Sequence, residues 1–199
     1  VYCDLRRPLP DVLVTILREV DFVFHLAWVR EKRLVAARIV NEAILMRLQE
    51  VKKPGASILF MSSVAASPAT KSIYGAAKYH VTHNVCDPSV IVFVSGLVRC
   101  DPPFGPDALL KSTIRRLPLR LRFRSPVPRV YSISMQTLVE ELGTALNGEY
   151  APGIYRQYSK SKSINETLEE LEPIDRSIYG TLTLNATRIV NICLIMRIM

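Results

Sequence analysis

Tyr74 and Lys78 are the two side chains whose types and spacing best suit acid/base chemistry in this sequence. Residues four apart share one face of a helix, so a helix here would hold a phenol beside an ammonium. A neighbouring ammonium favours the phenolate, so we expect Lys78 to lower the pKa of Tyr74 toward the range of a general acid or base. Ser62 and Ser63 end the preceding apolar run, where either hydroxyl is placed to hydrogen-bond the same substrate oxygen. These residues predict a reaction in which a proton transfer is coupled to another chemical event.

The surrounding pattern decides whether this spacing carries chemistry, because an isolated Tyr-x-x-x-Lys also arises by chance on an ordinary amphipathic helix. Short apolar runs typical of buried strands, DFVFHLAW, SILFMS and SVIVFVSG, alternate with helix patterns over residues 11–20, 31–52 and up to about residue 85. Asp11 is expected to cap the first helix. Such alternation predicts an α/β fold with a parallel sheet covered on both faces, whose ligands bind at the carboxyl ends of the strands.

Those carboxyl ends collect most of the candidate site residues. Residues 1–3 resemble the end of a strand. The residues that follow the predicted strands, and are therefore expected at the carboxyl edge of the sheet, are Asp4 and Leu5, His25 to Trp28, Ser62 and Ser63, and Gly96. A cluster of candidate ligand-binding residues at one edge is expected from the topology alone.

The regular alternation of strand and helix patterns stops after residue 100, where the proline-rich loop DPPFGPD begins a region of short, irregular elements. Helix signals return at residues 134–146 and 165–171, and GIYRQYS is a further strand candidate. We therefore predict a partial nucleotide-binding and catalytic domain over residues 1–100, a substrate-binding region over 101–160, and a C-terminal tail over 161–199.

Charge adds a second candidate surface. The net charge is +8, and residues 111–129 carry seven basic side chains and no acidic one. This stretch is either a solvated basic face or a site for a phosphorylated cofactor or an acidic partner protein. Nucleic acid is the least favoured partner, because Phe123 is the single aromatic residue there and no nucleic-acid motif occurs.

The four cysteines, Cys3, Cys86, Cys100 and Cys193, are widely spaced and form no metal-binding motif. They predict reduced thiols in a cytoplasmic protein. No signal peptide is visible and no apolar run approaches the ~20 residues of a membrane span. The apolar residues 189–199 fit a core strand, a partner-covered segment or an irregular tail.

The ordered set of Asp4-Leu5, DFVFHLAW, ILFMSS and YGAAK resembles the extended short-chain dehydrogenase/reductase superfamily, which has a Rossmann-like doubly wound parallel sheet. KPGASILFMSS and YGAAKY are most similar to the thioester reductase domains of fungal nonribosomal-peptide-synthetase-like enzymes and carboxylic acid reductases. The resemblance implies an NADP or NAD cofactor and hydride transfer to an acyl thioester on a phosphopantetheine arm. A sugar-nucleotide epimerase or dehydratase is the enzymatic alternative.

The resemblance also implies a role for each matching residue. Tyr74 is the expected proton donor, Lys78 the residue that binds the nicotinamide ribose, and Ser63 the residue that holds the substrate oxygen, with Ser62 as its alternative and a candidate cofactor contact. The expected cofactor-binding residues are completed by Asp4 and Leu5 beside the adenine and by the backbone of Leu26, Ala27 and Gly96. His25 is expected to be structural, whereas Trp28 and the residues from Asp101 onward are expected to face the acyl substrate. The basic residues 111–129 would then meet an acidic carrier domain.

Two departures from the family pattern limit this expectation. None of the eight glycines forms a Gly-x-x-Gly-x-x-Gly turn, whose backbone amides would contact the cofactor pyrophosphate. The sequence is expected to begin at the family's third strand, with severely reduced dinucleotide affinity. The second departure is shortness around the helix after Lys78 and in the loops after Gly96, together with an ending that matches no family pattern. A truncated, inactive remnant that serves as an interaction module is therefore a further alternative. Its uncovered strand edge would favour self-association.

Overall fold

The computed structural model describes residues 3–100, 112, 120–123, 129–158, 160–171 and 181–184. Five α-helices lie in these ranges: α1 Asp11–Glu19, α2 Leu34–Val51, α3 Ile73–His80, α4 Met135–Leu146 and α5 Ile164–Leu171. The strands are β1 Phe22–His25, β2 Ser57–Ser63, β3 Val90–Ser95, β4 Leu97–Arg99, β5 Arg120–Phe123, β6 Arg129–Ser134, β7 Gly153–Gln157, β8 Lys160–Ser163 and β9 Thr181–Leu184.

A four-stranded parallel sheet organises the part of the fold that contains the candidate site. Its strand order is β1-β2-β3-β7, and all three pairings are parallel. The alternation of buried strands and helices in the sequence predicted such a sheet, and the prediction of an α/β fold is confirmed. The register aligns Ser63 with Ser95 and Ser95 with Gln157, so three polar side chains end neighbouring strands at the carboxyl edge.

Both faces of this sheet are covered. Alternate side chains of β2 and β3, among them Phe60 and Val92, pack with residues of α1 and α2, among them Leu17 and Leu45, on one face. The intervening side chains of the same two strands point to the other face, where Leu59, Ile91 and Phe93 form a second cluster with Ala145 of α4. The two-residue period of a strand explains how one continuous apolar run serves two cores.

The chain divides into two compact units. The first contains the described residues up to Ser95 together with Glu140–Gln157, and the second contains those from Gly96 to Val139 and from Tyr158 onward. In the second unit, β4 and β8 flank β6, with a parallel and an antiparallel pairing respectively, and β5 pairs with β9 in parallel. The domain boundaries drawn from the sequence stay a prediction.

One local prediction is corrected by the structure, and a second lies largely outside the described residues. Pro10 occupies the N-cap of α1 and no side chain caps that end, so Asp11 lies within the first turn, where its charge still favours the helix N-terminus. Cys3 is not part of a strand, and the rest of the predicted opening strand, residues 1 and 2, lies outside the described residues. The DPPFGPD loop, most of the basic residues 111–129 and the apolar ending 189–199 also lie outside them.

The described residues contain no helix that is long and apolar enough to cross a membrane. Within the same part of the chain, no group of three or more His, Cys, Asp or Glu side chains is arranged to hold a metal ion.

Candidate active site

Helix α3 begins at a point that brings Tyr74 to the carboxyl end of β2. Ser72 caps the helix by accepting a hydrogen bond from the Gly75 backbone N–H at 2.9 Å. A Cβ on Gly75 would lie 2.3 Å from the Ala65 carbonyl oxygen, so the loop after β2 packs directly on the helix. This close approach fixes Tyr74, in the first turn, against the end of the strand.

Tyr74 and Ser63 form the central contact of the site. Ser63 is the last residue of β2, and its hydroxyl lies close enough to the half-buried Tyr74 phenol to favour the phenolate and oppose a rise in its pKa. The Ser63 oxygen also accepts a hydrogen bond from the Ala65 backbone N–H at 3.2 Å. The strand end therefore presents two hydroxyl groups side by side.

Ser62 and Ser63, which sequence reasoning could not separate, have different surroundings. Ser62 is buried, and its hydroxyl is 2.7 Å from that of Thr82 in the π-helical turn Val81–Val85 that follows α3. Successive strand residues point to opposite faces of the sheet, so only one member of the pair is able to reach Tyr74. The structure brings Ser63 to Tyr74 and places Ser62 in the packing between sheet and helix.

Lys78 is buried, with 3% of its side chain exposed. Its ammonium donates a hydrogen bond to the Met61 carbonyl oxygen of β2. The Nζ atom also lies over three aromatic rings, 4.6 Å from the centroid of Trp28, 5.0 Å from that of Phe60 and 5.7 Å from that of Tyr74. The lysine therefore points into an aromatic enclosure beneath the phenol.

Burial governs the protonation of these groups. It lowers the pKa of Lys78 to about 8. It also raises the pKa of Tyr74, against the smaller opposing effects of the nearby Ser63 hydroxyl and the positive charge of Arg30. The expectation of a lowered Tyr74 pKa is therefore wrong, because the loss of hydration of the phenolate outweighs the nearby charges.

A Tyr74 phenol with a raised pKa stays protonated at neutral pH, and this protonation state suits a proton donor. Two neighbouring O–H groups, one on Tyr74 and one on Ser63, are able to donate to a single substrate oxygen on which negative charge develops. The arrangement supports addition of a nucleophile or hydride to a carbonyl carbon, with the phenol supplying the proton to oxygen.

His25 and Cys86 complete the buried surroundings of Lys78. Burial, with a smaller effect from the Lys78 charge, lowers the pKa of His25 to about 4, so its ring is neutral near pH 7. The ring stacks on Phe60 with centroids 5.6 Å apart, and its buried Nε2 has no hydrogen-bond partner among the described residues. Burial also raises the pKa of the Cys86 thiol to about 12.

The residues predicted to contact a cofactor have varied positions. Leu26 and Ala27 are exposed after β1, at the carboxyl edge of the sheet. Asp4 forms an exposed ion pair with Arg6 at 2.8 Å, and the Arg6 guanidinium lowers the pKa of its carboxyl to about 2. Leu5 is half-buried against the apolar cluster of α1 and α2.

Gly96, in the second unit, packs tightly on the chain. A Cβ there would lie 2.5 Å from the Tyr131 carbonyl oxygen, so the close approach of these two backbone segments requires glycine. Its predicted contact with a cofactor stays a prediction.

Sequence reasoning missed the enclosure around Lys78. That Trp28 faces the acyl substrate stays a prediction. Its ring packs edge-on to Tyr74, with centroids 5.9 Å apart, and against Phe60, which the sequence did not predict. Phe60 belongs to an ordinary buried strand pattern that gives no sign of this contact. Arg30, whose charge reaches Tyr74, lies in a loop without a motif.

Neither a protein-family model nor a curated protein sequence matches the chain. Solved structures with a similar fold include the UDP-glucuronic acid 4-epimerase from Bacillus cereus in complex with NAD, with a TM-score of 0.65, 17% sequence identity, and 92% of this chain and 67% of that chain covered. A dTDP-4-dehydrorhamnose reductase from Bacillus anthracis in complex with NADP has a TM-score of 0.66 and 15% identity over 93% of this chain and 73% of its own. A hypothetical dTDP-4-dehydrorhamnose reductase from Sulfolobus tokodaii has a TM-score of 0.72 and 14% identity over 92% and 72%.

These likenesses establish the fold. The chain shares the Rossmann-like α/β fold of these structures, as the sequence predicted. It spans about two thirds to three quarters of the length of the three structures. The narrower resemblance to thioester reductase domains stays a prediction.

Proposed function

We propose that this chain binds a nicotinamide dinucleotide, NADP or NAD, and catalyses hydride transfer at a carbonyl carbon with Tyr74 as the proton donor. The observation that carries the proposal is the proximity of the Tyr74 phenol to Ser63 at the carboxyl end of β2, with Lys78 one helical turn further along α3. Ligands of open parallel sheets bind at this edge. The NAD and NADP complexes of structures with the same fold support the choice of cofactor.

The donor set of the site fits the nicotinamide end of such a cofactor. The Lys78 ammonium has three N–H donors, and the described residues supply one acceptor, the Met61 carbonyl. Two donors thus stay available for ribose hydroxyls, while Leu26 and Ala27 expose backbone and small apolar surface at the same edge. Because Lys78 is 3% exposed, contact with a ribose requires side chains near the site to move.

The bound dinucleotide would supply or accept the hydride, and the chain's own residues handle the proton. The Ser63 hydroxyl orients the substrate oxygen beside the phenol, and Tyr74 donates its proton to that oxygen as negative charge develops there. The Lys78 charge favours the phenolate that remains. Positioned proton transfer of this kind contributes about 10²–10⁴-fold to a rate.

The first candidate substrate is a carrier-bound acyl thioester, which is reduced at its carbonyl carbon with release of the thiol. The segments KPGASILFMSS and YGAAKY support it through their resemblance to thioester reductase domains. The basic residues 111–129 would suit an acidic carrier domain, by charge complementarity.

The second candidate substrate is a sugar nucleotide. The named activities of the structurally similar epimerase and reductases, which refer to UDP-glucuronic acid and dTDP-4-dehydrorhamnose, support it. A Tyr, a Lys and an upstream Ser serve either substrate, because both reactions move a hydride and a proton at one carbon–oxygen centre.

Dinucleotide binding is tested by titrating NADPH and NADH while following the fluorescence of Trp28, the single tryptophan of the chain. We expect saturable binding in the micromolar to millimolar range, with a change in Trp28 emission because its ring covers Lys78. Absence of binding at millimolar dinucleotide would refute the proposal and favour an interaction module without catalysis.

Turnover is tested by supplying NADPH with an acyl-pantetheine thioester, and separately with UDP- and dTDP-linked sugars. We expect Tyr74→Phe to abolish whichever turnover is found, because it removes the proton donor and keeps the ring. Tyr79→Phe is the matched control, since Tyr79 lies on the same helix but packs in a tilted contact on His83, with centroids 4.4 Å apart. Equal losses in both variants would contradict the role of Tyr74.

A further inference from the structure

The aromatic rings around Lys78 form an enclosure that the proposed chemistry does not by itself require. We define the Lys78 cage as the rings of Trp28, Phe60 and Tyr74, whose centroids lie 4.6, 5.0 and 5.7 Å from Nζ. Among the described residues, no acidic side chain forms an ion pair with this ammonium. A buried cation is therefore held by one backbone carbonyl and three ring faces.

Burial by itself favours the uncharged amine. Removing an ammonium from water disfavours its charged form, and this effect lowers the pKa of Lys78. The face of an aromatic ring carries partial negative charge and attracts a cation, with tryptophan the strongest of the aromatic residues. The Trp28 ring is also the nearest of the three to Nζ. It is therefore the group of the cage that contributes most to keeping Lys78 charged.

The ionisable groups near Lys78 do not replace this contribution. His25, at the end of β1, is neutral near pH 7, and Cys86, after the π-helical turn, is a protonated thiol. Tyr74, on the same helix, is a protonated phenol, and Arg30 adds a positive charge near it. None of these groups presents a negative charge to Lys78 at neutral pH.

Trp28 contacts both Lys78 and Tyr74. Its face covers the Lys78 ammonium, and its ring packs edge-on to Tyr74 at an interplanar angle of 79°. The indole also makes a tilted contact with the Phe60 ring, with centroids 6.3 Å apart. One side chain thus sets the position of the cation and of the phenol together.

We propose that Trp28 is a positioning residue of the active site, whose indole face keeps Lys78 charged and whose edge packs against the ring of Tyr74. The inference rests on the proposed function for its catalytic meaning, although its physical content is testable without cofactor or substrate. Trp28 acts through Lys78 and Tyr74 and takes no part in the transfer itself.

The single tryptophan allows a test that leaves the shape of the cage unchanged. Tryptophans carrying an increasing number of ring fluorines are incorporated biosynthetically, so that only position 28 changes. Fluorine withdraws electron density from the ring face with little change in size. The pKa of Lys78 is then measured by ¹³C NMR of isotope-labelled lysine side chains, with the Lys78→Met spectrum identifying the resonance.

We expect the pKa of Lys78 to fall stepwise with fluorination, by about 1 unit across the series, the scale of a desolvated cation–π contact. The ¹⁹F resonance of 5-fluorotryptophan should titrate with the same pKa and lose this titration in Lys78→Met. Trp28→Phe, which keeps a ring face, should lie between the wild type and Trp28→Leu. Phe24→Leu is the matched control on β1, where the ring packs against Phe22 and lies outside the cage.

A pKa of Lys78 that is constant or rises along the fluorinated series would overturn the inference, because the ring face would then not act on the charge. This result would leave the proposed function intact, since no dinucleotide takes part in the measurement. Conversely, a stepwise fall in a chain that fails to bind NADPH would support the cage and refute the proposed function.

Discussion

Replacing Gly75 by alanine is expected to destabilise the protein and disturb the site, although alanine is ordinarily the better helix residue. A Cβ at position 75 would lie 2.3 Å from the Ala65 carbonyl oxygen, 2.7 Å from Thr70 Oγ1 and 2.8 Å from Ser72 Oγ. The two hydroxyls sit on side chains that are able to rotate. The carbonyl belongs to the backbone of the loop after β2, so the loop or the helix must move.

Overpacking of this kind costs about 1–3 kcal/mol. Gly143 in α4 provides the matched control, because a Cβ there meets nothing within 4 Å. At an open helix position, Gly→Ala stabilises by about 0.5–1 kcal/mol. The same chemical change is therefore expected to lower the free energy of unfolding at position 75 and to raise it at position 143. For a chain of this size, 1 kcal/mol corresponds to a Tm change of about 2–4 °C.

Urea unfolding followed by Trp28 fluorescence measures both variants in the unit that contains them, and thermal unfolding followed by circular dichroism checks the sign. Gly75→Ala should also move Tyr74 away from Ser63, so any turnover should fall further than stability explains. If Gly75→Ala is as stable as Gly143→Ala, the tight packing of the loop on α3 described here is incorrect.

Three further predictions concern single buried groups. Ser62→Ala should lower the free energy of unfolding by about 1–3 kcal/mol in urea titrations, because it leaves the Thr82 hydroxyl buried without its partner, whereas Ser63→Ala should reduce turnover with little change in stability. The wild type should lose stability as pH falls from about 6.5 toward 4, since the unfolded state takes up a proton on His25 that the folded state, with a pKa of about 4, does not. His25→Leu should flatten this part of the pH profile, and an unchanged slope would exclude His25 as its source. Cys86 should resist alkylation by iodoacetamide at pH 8 in the folded protein and react after unfolding, as peptide mass spectrometry would show, because a thiol with a pKa of about 12 supplies little thiolate.

Much of the fold was predictable because its signals are local. Apolar runs of strand length alternate with amphipathic helix patterns, and the structure contains β1, β2 and β3 and the helices between them near the predicted positions. The parallel sheet follows from that alternation. The position of β7 does not, because β7 follows a second unit in the chain and returns to pair with β3. Pairing between strands that are far apart in the sequence depends on tertiary packing, which a short stretch of sequence does not reveal.

The site shows the same division. Spacing alone predicted that Tyr74 and Lys78 share a helix turn beside a serine at a strand end. Only the tertiary structure separated Ser62 from Ser63, because the direction of each side chain depends on the register of β2 and on where α3 begins. It also reversed the expected pKa shift of Tyr74, since the burial of a phenol is a property of the packed neighbourhood.

The amino-acid sequence by itself determined which groups are available for proton transfer and on which elements they lie, since residue type and helical period are properties of the chain. The tertiary structure decided which of these groups meet, how much water each retains, and that Trp28 covers Lys78. Distances and burial arise when separate elements pack together, and these two quantities set the strength of an electrostatic interaction. The chemistry of Tyr74 therefore depends on residues that are remote from it in the sequence.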